Sequence, residues 1–342
     1  MRFDDVLPKC HPYLDWIQIE ISSYCNASCI YCPHCGFRRN WQNRLLPFEV
    51  FQNLIPAFGK TDLVYLQGWG EPFMHPQFFE MIQIAKKAGC RVGTTTNGAL
   101  LNRGLIQKIV EQGLDVIGFS LAGINEQNDK IRKGTQIKKV LKCIQEIHSA
   151  KAKYGVDNPE IHIAYMLLQS GLEDLENLPE FLRNTGAAQT VVSSLSYVVS
   201  PELRAESFLA FGEEQYSELK ARLRNIKREA VKQGADVHFH IVPPVQNNFS
   251  CSENIPKAVV IGSDGSISPC VMKQIPVKGE NFYYANGKKH RQQNLSVGNV
   301  HSKSLKTNWH CKEYQKLIRK FKNCETPSFC ENCLKKTIDH IA

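Results

Sequence analysis

Four cysteines follow a short run of alternating apolar residues near the start of the chain. The run, Trp16 to Ile21, has a period of two, which predicts a β-strand. Ser22, Ser23 and Asn26 then indicate an irregular turn, so the thiols are expected at the carboxyl end of that strand. In parallel α/β folds the reactive groups lie at this end of the sheet. The remaining chain is therefore expected to be a scaffold for the cysteine loop.

The spacing of these cysteines is that of a metal or cluster site. Cys25, Cys29 and Cys32, in the pattern Cys-x3-Cys-x2-Cys, can converge on one centre. Thiolates select iron–sulfur clusters or zinc, and Cys35 could supply the fourth ligand that a structural zinc requires. A ferredoxin-like register through Cys35 lacks the Cys-Pro that should follow it. Spacing alone therefore leaves iron and zinc both open.

The same cysteine pattern, with Tyr31 before its last member, resembles the signature of the radical S-adenosylmethionine (SAM) superfamily. The resemblance implies that Cys25, Cys29 and Cys32 hold a [4Fe-4S] cluster whose fourth iron binds the amino and carboxylate groups of SAM. It also implies that an electron from the cluster cleaves SAM to a 5'-deoxyadenosyl radical, which abstracts hydrogen from a substrate. A reductant such as flavodoxin or ferredoxin is the expected electron donor.

Length and composition restrict the class of protein. With 342 residues, of which 42% are hydrophobic, the chain can bury a large core, as two domains or as one domain with an appendage. The apolar runs are too short to cross a bilayer and the first residues do not form a secretory signal, so we expect a cytoplasmic protein without a membrane partner.

Charge and cysteine content narrow the functions further. Thirteen cysteines in a reducing cytosol indicate metal clusters rather than disulfides. The net charge of +9 comes from scattered Lys and Arg, and no nucleic-acid motif accompanies them. We therefore expect no nucleic-acid partner.

Strand-like and helix-like segments alternate through the first two thirds of the chain. After the first strand, further strands are predicted at 63–66, 91–95, 116–119, 161–168 and 190–195. Helices are predicted at 47–55, 75–88, 102–112 and 125–153. Six strands separated by helical segments favour parallel βαβ units with right-handed crossovers. We expect an α/β fold, a partial (β/α)6 TIM-like barrel similar to the radical SAM core, with an open lateral mouth.

Turns at the predicted strand ends supply candidate SAM contacts. The turn at 67–72, Gln-Gly-Trp-Gly-Glu-Pro, resembles the family's Gly-Gly-Glu-Pro motif, which binds the SAM amino group, so Gly70 and Glu71 are predicted contacts. Trp69 interrupts the usual paired glycines. Ser120 is the third predicted contact, because Ala122 stands where many relatives have Asp. The Thr-Asn-Gly turn at 96–98 also resembles a turn of the family. Because Asn-Gly favours ordinary turns, an ordinary turn and a direct SAM contact are both open here.

Six more cysteines in the last third of the chain predict a second site. The segment 258–268 alternates around a Gly-Ser-Asp-Gly turn, which predicts a β-hairpin that brings Cys251 near Cys270. Cys330-x2-Cys333 adds a second chelating pair. A bound metal is therefore expected, with zinc as the alternative to an iron–sulfur cluster.

This region resembles the SPASM/Twitch extension of radical SAM enzymes, which binds auxiliary [4Fe-4S] clusters, because Cys251-x13-Gly265-x4-Cys270 matches its opening motif. The later part departs from that motif, since Phe321 occupies one thiol position and no cysteine follows the last pair. We expect one auxiliary [4Fe-4S] cluster. Its predicted ligands are Cys251, Cys270, Cys330 and Cys333, with Cys324 or Cys311 as substitutes.

These predictions divide the chain into four segments. Residues 1–15 are an extended lead-in, and residues 16–211 are the radical SAM core barrel. Residues 212–234, with apolar positions at helical spacing, are a connecting helix. Residues 235–342 are a small Cys-rich α+β extension that is SPASM/Twitch-like.

Three classes of function compete for such a chain. An iron–sulfur redox relay or a zinc-binding module would not need the turn at 67–72, the Ser120 strand end or a six-unit barrel. A radical SAM enzyme is therefore predicted. A peptide or protein substrate is expected, because the extension supplies a wall that can hold a chain beside the radical. A small molecule in cofactor or natural-product biosynthesis is the alternative substrate.

Overall fold

A computed structural model of the protein describes residues 13–245 and 251–341. Most of the predicted lead-in, residues 1–15, lies outside these ranges. The strands in the described ranges are β1 (Leu14–Ile19), β2 (Ser28–Cys29), β3 (Thr61–Leu66), β4 (Arg91–Thr96), β5 (Val116–Leu121), β6 (Arg132–Lys133), β7 (Glu160–Leu167), β8 (Gln189–Ser194), β9 (Asp236–Ile241), β10 (Ala258–Ile261), β11 (Ser266–Ser268), β12 (Phe282–Ala285), β13 (Lys288–Arg291), β14 (Gly298–Asn299) and β15 (Asp339–Ile341).

The helices of the same ranges surround these strands. They are α1 (Pro33–Gly36), α2 (Phe48–Gln52), α3 (Ile55–Phe58), α4 (Phe78–Lys87), α5 (Arg103–Glu111), α6 (Glu126–Ile131), α7 (Ile137–Tyr154), α8 (Leu178–Thr185), α9 (Glu213–Lys232), α10 (Leu305–Trp309) and α11 (Lys312–Lys322). The predicted helix at 47–55 is two helices in the structure, α2 and α3, and the helices predicted through 125–153 are α6 and α7. The connecting helix predicted at 212–234 is α9, whose buried face includes Tyr216, Leu223 and Ile226.

Eleven strands form one sheet in the order β14-β11-β10-β1-β3-β4-β5-β7-β8-β9-β15. Within this order, the eight strands from β10 to β9 run parallel to one another. The three outermost strands, β11, β14 and β15, pair antiparallel. The six predicted strands are β1, β3, β4, β5, β7 and β8, so the partial (β/α)6 barrel is confirmed.

The C-terminal third of the chain extends this sheet at both edges. β9 pairs with β8 through Val191 and His238, and β10 pairs with β1 through Ile17 and Val259. An open six-stranded sheet would leave a row of unpaired N–H and C=O groups at each edge, and these two strands satisfy them. All four residues of β10 are buried, as is typical of an inner parallel strand. The domain boundary near residue 235 stays a prediction.

The core lies between the sheet and its helices. Alternate residues of β1, such as Ile17 and Ile19, are fully buried, whereas Gln18 faces the inside of the barrel. Helix α7 buries Val140, Ile144 and Ile147 at helical spacing on the same side of the sheet. Within the described ranges, no helix is both long enough and apolar enough to cross a bilayer.

Candidate functional site

The cysteine loop leaves the carboxyl end of β1, as predicted, and two contacts fix its start. The Ser23 N–H donates to the Arg44 carbonyl at 2.9 Å, and the Trp41 indole N–H donates to the Ser23 carbonyl at 2.9 Å. Cys29 lies on β2, which pairs with β6, and Cys32 precedes α1. Local strand pairing and a short helix therefore hold the ends of the Cys29-x2-Cys32 segment.

The structure brings Cys25, Cys29 and Cys32 together. Burial, together with the nearby charges of Glu71 and Cys29, raises the pKa of Cys25 to about 11. Burial, followed by the Cys29 charge, also raises the pKa of Cys32. Buried thiolates that repel one another need a cationic centre to offset them, so these residues fit an iron–sulfur cluster. Among the described residues, no three Cys, His, Asp or Glu side chains are grouped so as to hold a single metal ion.

Glu71 lies at the end of β3 and is only 2% exposed. The Thr96 hydroxyl donates to its Oε1 at 2.6 Å, and the Asn97 backbone N–H donates to its Oε2 at 2.8 Å. Burial raises the pKa of Glu71 to about 7, although these donors oppose the shift. The Asn97 amide also donates to Asn26 at 2.9 Å and lies 3.8 Å from the Cys25 sulfur. The Thr-Asn-Gly turn therefore connects Glu71 to the cysteine loop.

The two glycines of the 67–72 turn lie where neighbouring atoms leave no room for a side chain. A Cβ at Gly70 would lie 2.4 Å from the carbonyl oxygens of Ser22 and Tyr24, which lead into the cysteine loop. A Cβ at Gly68 would lie 2.2 Å from the Glu20 side chain. The Glu71 N–H donates to the Tyr24 carbonyl at 2.7 Å, so the turn and the cysteine loop pack directly together.

Gly70→Ala is therefore expected to destabilise the fold by about 1–3 kcal/mol, because the new methyl group meets rigid backbone. Gly59→Ala is a matched control, since a Cβ there has no neighbour within 4 Å among the described residues and the φ of Gly59 is −64°. Urea unfolding of both variants measures the difference. Equal stability of the two variants would contradict the close packing of the turn.

Trp69, which interrupts the glycine pair, connects the turn to the C-terminal region. Its indole N–H donates to the Gln274 carbonyl at 2.8 Å, and its backbone N–H donates to a Glu20 carboxylate oxygen at 2.8 Å. The other Glu20 oxygen accepts from the Ser263 hydroxyl at 2.8 Å. Burial raises the pKa of Glu20 to about 7. The sequence did not indicate the contacts with Gln274 and Ser263, because they join residues 205 and 243 positions apart.

Arg132 is a buried cation beside the cysteine loop that the sequence analysis did not single out. It is 6% exposed, pairs with Cys29 across β2 and β6, and donates to the Tyr31 hydroxyl. Its Nε has no acceptor among the described residues. The charges of Tyr31 and Cys29 raise its pKa against the opposing effect of burial. In the sequence Arg132 belongs to no motif, and the two-residue strand that holds it is too short to show a periodic pattern.

The structure also brings the four predicted auxiliary ligands together. The hairpin of β10 and β11 is confirmed, and it places Cys251 and Cys270 on its flanks. Burial raises the pKa of Cys270 well above its usual value, and the charges of Cys330, Cys333 and Cys251 raise it further. Of the two predicted substitutes, Cys324 is exposed, and the Cys311 sulfur accepts from the Tyr314 N–H at the start of α11.

One cavity of about 430 Å³ is lined by the cysteine loop and reaches residues beside the auxiliary cysteines. Cys25, Cys29 and Cys32 line one side, together with Gly70, Glu71, Ser120 and Arg132. On the other side Lys335 donates to Glu253, each two residues from an auxiliary cysteine. All three predicted SAM contacts therefore face the same space. A molecule bound in this cavity would contact the loop of Cys25, Cys29 and Cys32 directly and would lie near the segments that carry Cys251 and Cys333.

Two sequence profiles of known families match this chain. Residues 19–182 match the radical SAM superfamily, and residues 251–334 match SPASM, described as an iron-sulfur cluster-binding domain. The chain belongs to the radical SAM superfamily. This radical SAM enzyme uses [4Fe-4S] clusters and SAM, as predicted, and carries a C-terminal SPASM domain.

Similar proteins cover most of this radical SAM chain. The "tungsten-containing aldehyde ferredoxin oxidoreductase cofactor-modifying protein" of Pyrococcus furiosus is 24% identical, over 96% of this chain and 90% of the relative. A "probable GTP 3',8-cyclase" of Methanocaldococcus jannaschii is also 24% identical, over 75% of this chain and 85% of the relative.

Solved structures confirm the fold. Streptococcus suis SuiB bound to S-adenosylmethionine has a TM-score of 0.65 and 16% identity, covering 95% of this chain and 72% of SuiB. Native anSMEcpe with bound AdoMet has a TM-score of 0.63 and 17% identity, covering 94% of this chain and 87% of that protein.

Proposed function

We propose that Cys25, Cys29 and Cys32 are the protein ligands of the SAM-binding cluster. Their convergence at one side of the cavity is the observation that carries this proposal. When bound, the cluster supplies the electron that cleaves SAM to a 5'-deoxyadenosyl radical, which removes hydrogen from a substrate. Cys35 is half-buried beside this loop and is not needed as a ligand.

The SAM ammonium is proposed to bind at Glu71 and Gly70. The Glu71 Oε1 accepts from the Thr96 hydroxyl and the Phe73 N–H, whereas Oε2 accepts from the Asn97 N–H and has a second lone pair for another donor. The carboxylate is therefore held in place before SAM binds, so little ordering cost arises on binding. Gly70 lines the cavity beside Glu71, and its missing side chain lets the turn pack against the Ser22 and Tyr24 carbonyls.

The SAM carboxylate is proposed to bind at Arg132 and Ser120. Both residues face the cavity, and the unpartnered Nε of Arg132 is a buried donor that requires an acceptor. A planar guanidinium matches a carboxylate with two parallel hydrogen bonds. Glu71 and Arg132 carry opposite charges in the same cavity, so they fit the opposite charges of the amino-acid part of SAM.

The auxiliary [4Fe-4S] cluster is proposed to bind Cys251, Cys270, Cys330 and Cys333. Burial raises the pKa of Cys251 to about 11 and that of Cys330 to about 12, so these thiols also need a cationic partner to ionise. Cys270 and Cys330 are less than 10% exposed. Cys324, which is exposed and has a positive φ of 56°, is the less suitable ligand.

For the substrate we propose a small polar molecule. The cavity of about 430 Å³ must hold SAM as well as the substrate. A pocket that holds one drug-sized ligand is typically ~300–1,000 Å³, so little room is left for a large substrate. The Glu253–Lys335 ion pair on the far wall suits a substrate with polar or charged groups. The names of the two curated relatives likewise refer to a cofactor and to GTP. A peptide or protein substrate, which the sequence favoured, stays a prediction and requires that a single side chain enter the cavity.

The substrate class can be tested by isotope transfer. Reconstituted enzyme, SAM and a reductant are incubated with deuterium-labelled small polar metabolites or with labelled peptides. The radical takes a hydrogen atom from a substrate C–H bond, so deuterium should appear in 5'-deoxyadenosine from a small metabolite. Label transferred from peptides alone would reject the small-molecule proposal and favour the peptide prediction.

A further inference from the structure

Trp69 lies between the two glycines of the 67–72 turn, and its side chain extends from that turn to the SPASM domain. The side chain is half-buried and packs against an apolar cluster that includes Ile275 and Tyr283. The two proposed SAM contacts of the turn directly follow Trp69 in the chain. A side chain that belongs to the SAM-binding turn therefore packs against the domain that carries the proposed auxiliary site.

The indole N–H of Trp69 has two acceptors in the segment that begins at Cys270. It lies 2.8 Å from the Gln274 carbonyl oxygen and 3.3 Å from the Val271 carbonyl oxygen. Cys270 directly precedes a single 3₁₀ turn at 271–273, and Gln274 directly follows it. The Gln274 N–H donates to the Val271 carbonyl at 3.1 Å, so the turn itself holds the two acceptors together.

The backbone of Trp69 is joined to the SPASM domain separately, through Glu20. The Trp69 N–H donates to the Glu20 Oε1 at 2.8 Å. Ser263, in the turn between β10 and β11, donates to Oε2 with its N–H at 3.2 Å and its hydroxyl at 2.8 Å. Glu20 is 1% exposed, so these hydrogen bonds lie in a water-poor environment, where they are stronger than in water.

These contacts bear on the geometry of the SAM-binding turn. The Glu71 N–H donates to the Tyr24 carbonyl at 2.7 Å, which holds the end of the turn to the cysteine loop. The peptide bonds from Trp69 to Glu71 are planar, so the position of Trp69 constrains the two residues that follow it. The turn is therefore held by the cysteine loop at one end and by the 270–274 segment at Trp69.

We propose that Trp69 is a positioning residue that couples SAM binding to the auxiliary site. An ordered 270–274 segment holds the indole, and the indole holds the turn, so Glu71 meets SAM with little ordering cost. Without a ligand at Cys270 the two acceptors are less ordered, and SAM must then order both segments as it binds. The proposal rests on the SAM and auxiliary sites of the preceding section.

A double-mutant cycle tests this coupling. Trp69→Phe removes the indole N–H and keeps an aromatic ring, and Cys270→Ala removes a proposed ligand of the auxiliary site. Both variants and their combination are reconstituted anaerobically, and iron content and the Kd for SAM are measured. Asn40→Ala is the matched control, because the Asn40 amide donates to Asn281 at 3.0 Å, between the barrel and the SPASM domain but outside the SAM-binding turn.

Trp69→Phe is expected to raise the Kd for SAM about tenfold, because a hydrogen bond that positions the turn is lost. Its iron content should equal that of the parent enzyme. Cys270→Ala should raise the Kd by a similar factor. The double variant should bind SAM about as well as the weaker single variant, because both changes break the same connection. Asn40→Ala should leave the Kd unchanged.

Hydrogen exchange followed by mass spectrometry supplies a readout that does not require SAM. In Trp69→Phe the backbone amides of 67–72 should exchange faster than in the parent enzyme, whereas those of β4 should exchange at the parent rate, because the loss is local. Trp69→Phe leaves every cysteine in place, so this comparison also decides the proposal if Cys270→Ala does not fold.

Three results would overturn the proposal. The first is an unchanged Kd for SAM in Trp69→Phe, and the second is unchanged exchange at 67–72. The third is a double variant in which the two single effects multiply to about a hundredfold, because Trp69 and Cys270 would then act independently. Failure of the proposed function is distinct from these results, since the parent enzyme itself would then not bind SAM.

Discussion

Replacing Cys25, Cys29 or Cys32 by Ala is expected to abolish SAM cleavage and leave a folded chain. Loss of one of three thiolate ligands empties or exposes the cluster. The fold should persist because the apolar core of the barrel lies between the sheet and its helices, away from this loop. The measurement is 5'-deoxyadenosine formed after anaerobic reduction, together with iron content and circular dichroism for each variant.

Cys35→Ala is the matched control for these variants. Cys35 belongs to the same loop and is half-buried, like Cys25 and Cys32. Its replacement should leave iron content and SAM cleavage close to those of the parent enzyme. If Cys35→Ala emptied the site and Cys25→Ala did not, the ligand set would be the ferredoxin-like register through Cys29, Cys32 and Cys35.

Glu71→Ala is expected to weaken SAM binding by about 1.5–3 kcal/mol, which is the strength of a charge-assisted hydrogen bond. That loss corresponds to roughly a tenfold to hundredfold rise in Kd. The cluster should remain, because Glu71 is not a proposed ligand. Isothermal calorimetry of SAM binding to the reconstituted enzyme measures the change, and an unchanged Kd would refute the role of Glu71.

Glu20→Ala is a control for the general effect of removing a buried carboxylate from this turn. It is 1% exposed and contacts the same turn, but it does not line the cavity. Glu20→Ala should lower stability, because it leaves the Trp69 and Ser263 donors unpaired, while SAM affinity falls less than in Glu71→Ala.

The pH dependence of SAM binding gives a second readout for Glu71. Its pKa is raised to about 7, so the carboxylate becomes neutral as the pH falls below that value. A neutral carboxyl attracts the SAM ammonium less, so affinity should decline between pH 8 and pH 6. Glu71→Gln should abolish this decline. Glu20, whose pKa is also raised to about 7, is unchanged in that variant and still titrates.

Local patterns in the sequence predicted the elements that depend on local chemistry. The alternation of β1, the cysteine spacing and the strand-end turns predicted that the candidate site residues lie at one end of the sheet, where the structure brings Cys25, Glu71 and Ser120 to one cavity. The hairpin of β10 and β11 was also found, because a Gly-Ser-Asp-Gly turn between apolar strands is a short-range signal.

Contacts between distant segments were not predictable in the same way. Glu20 bonds Ser263 across 243 positions, and Trp69 bonds Gln274 across 205 positions. Arg132 faces the cavity because β6 pairs with β2, and a two-residue strand has no periodicity to detect. The parallel pairing of β10 with β1 was also missed, because an apolar four-residue run fits a hairpin strand and an inner parallel strand equally well.

The protein is proposed to hold two clusters, a SAM-binding cluster at Cys25, Cys29 and Cys32 and an auxiliary cluster in the SPASM domain. The most direct measurement is the metal content of anaerobically reconstituted protein, followed by reduction in the presence of SAM. Two four-iron clusters predict about eight iron atoms per chain and formation of 5'-deoxyadenosine. Stoichiometric zinc without iron, and no 5'-deoxyadenosine after reduction, would contradict the account.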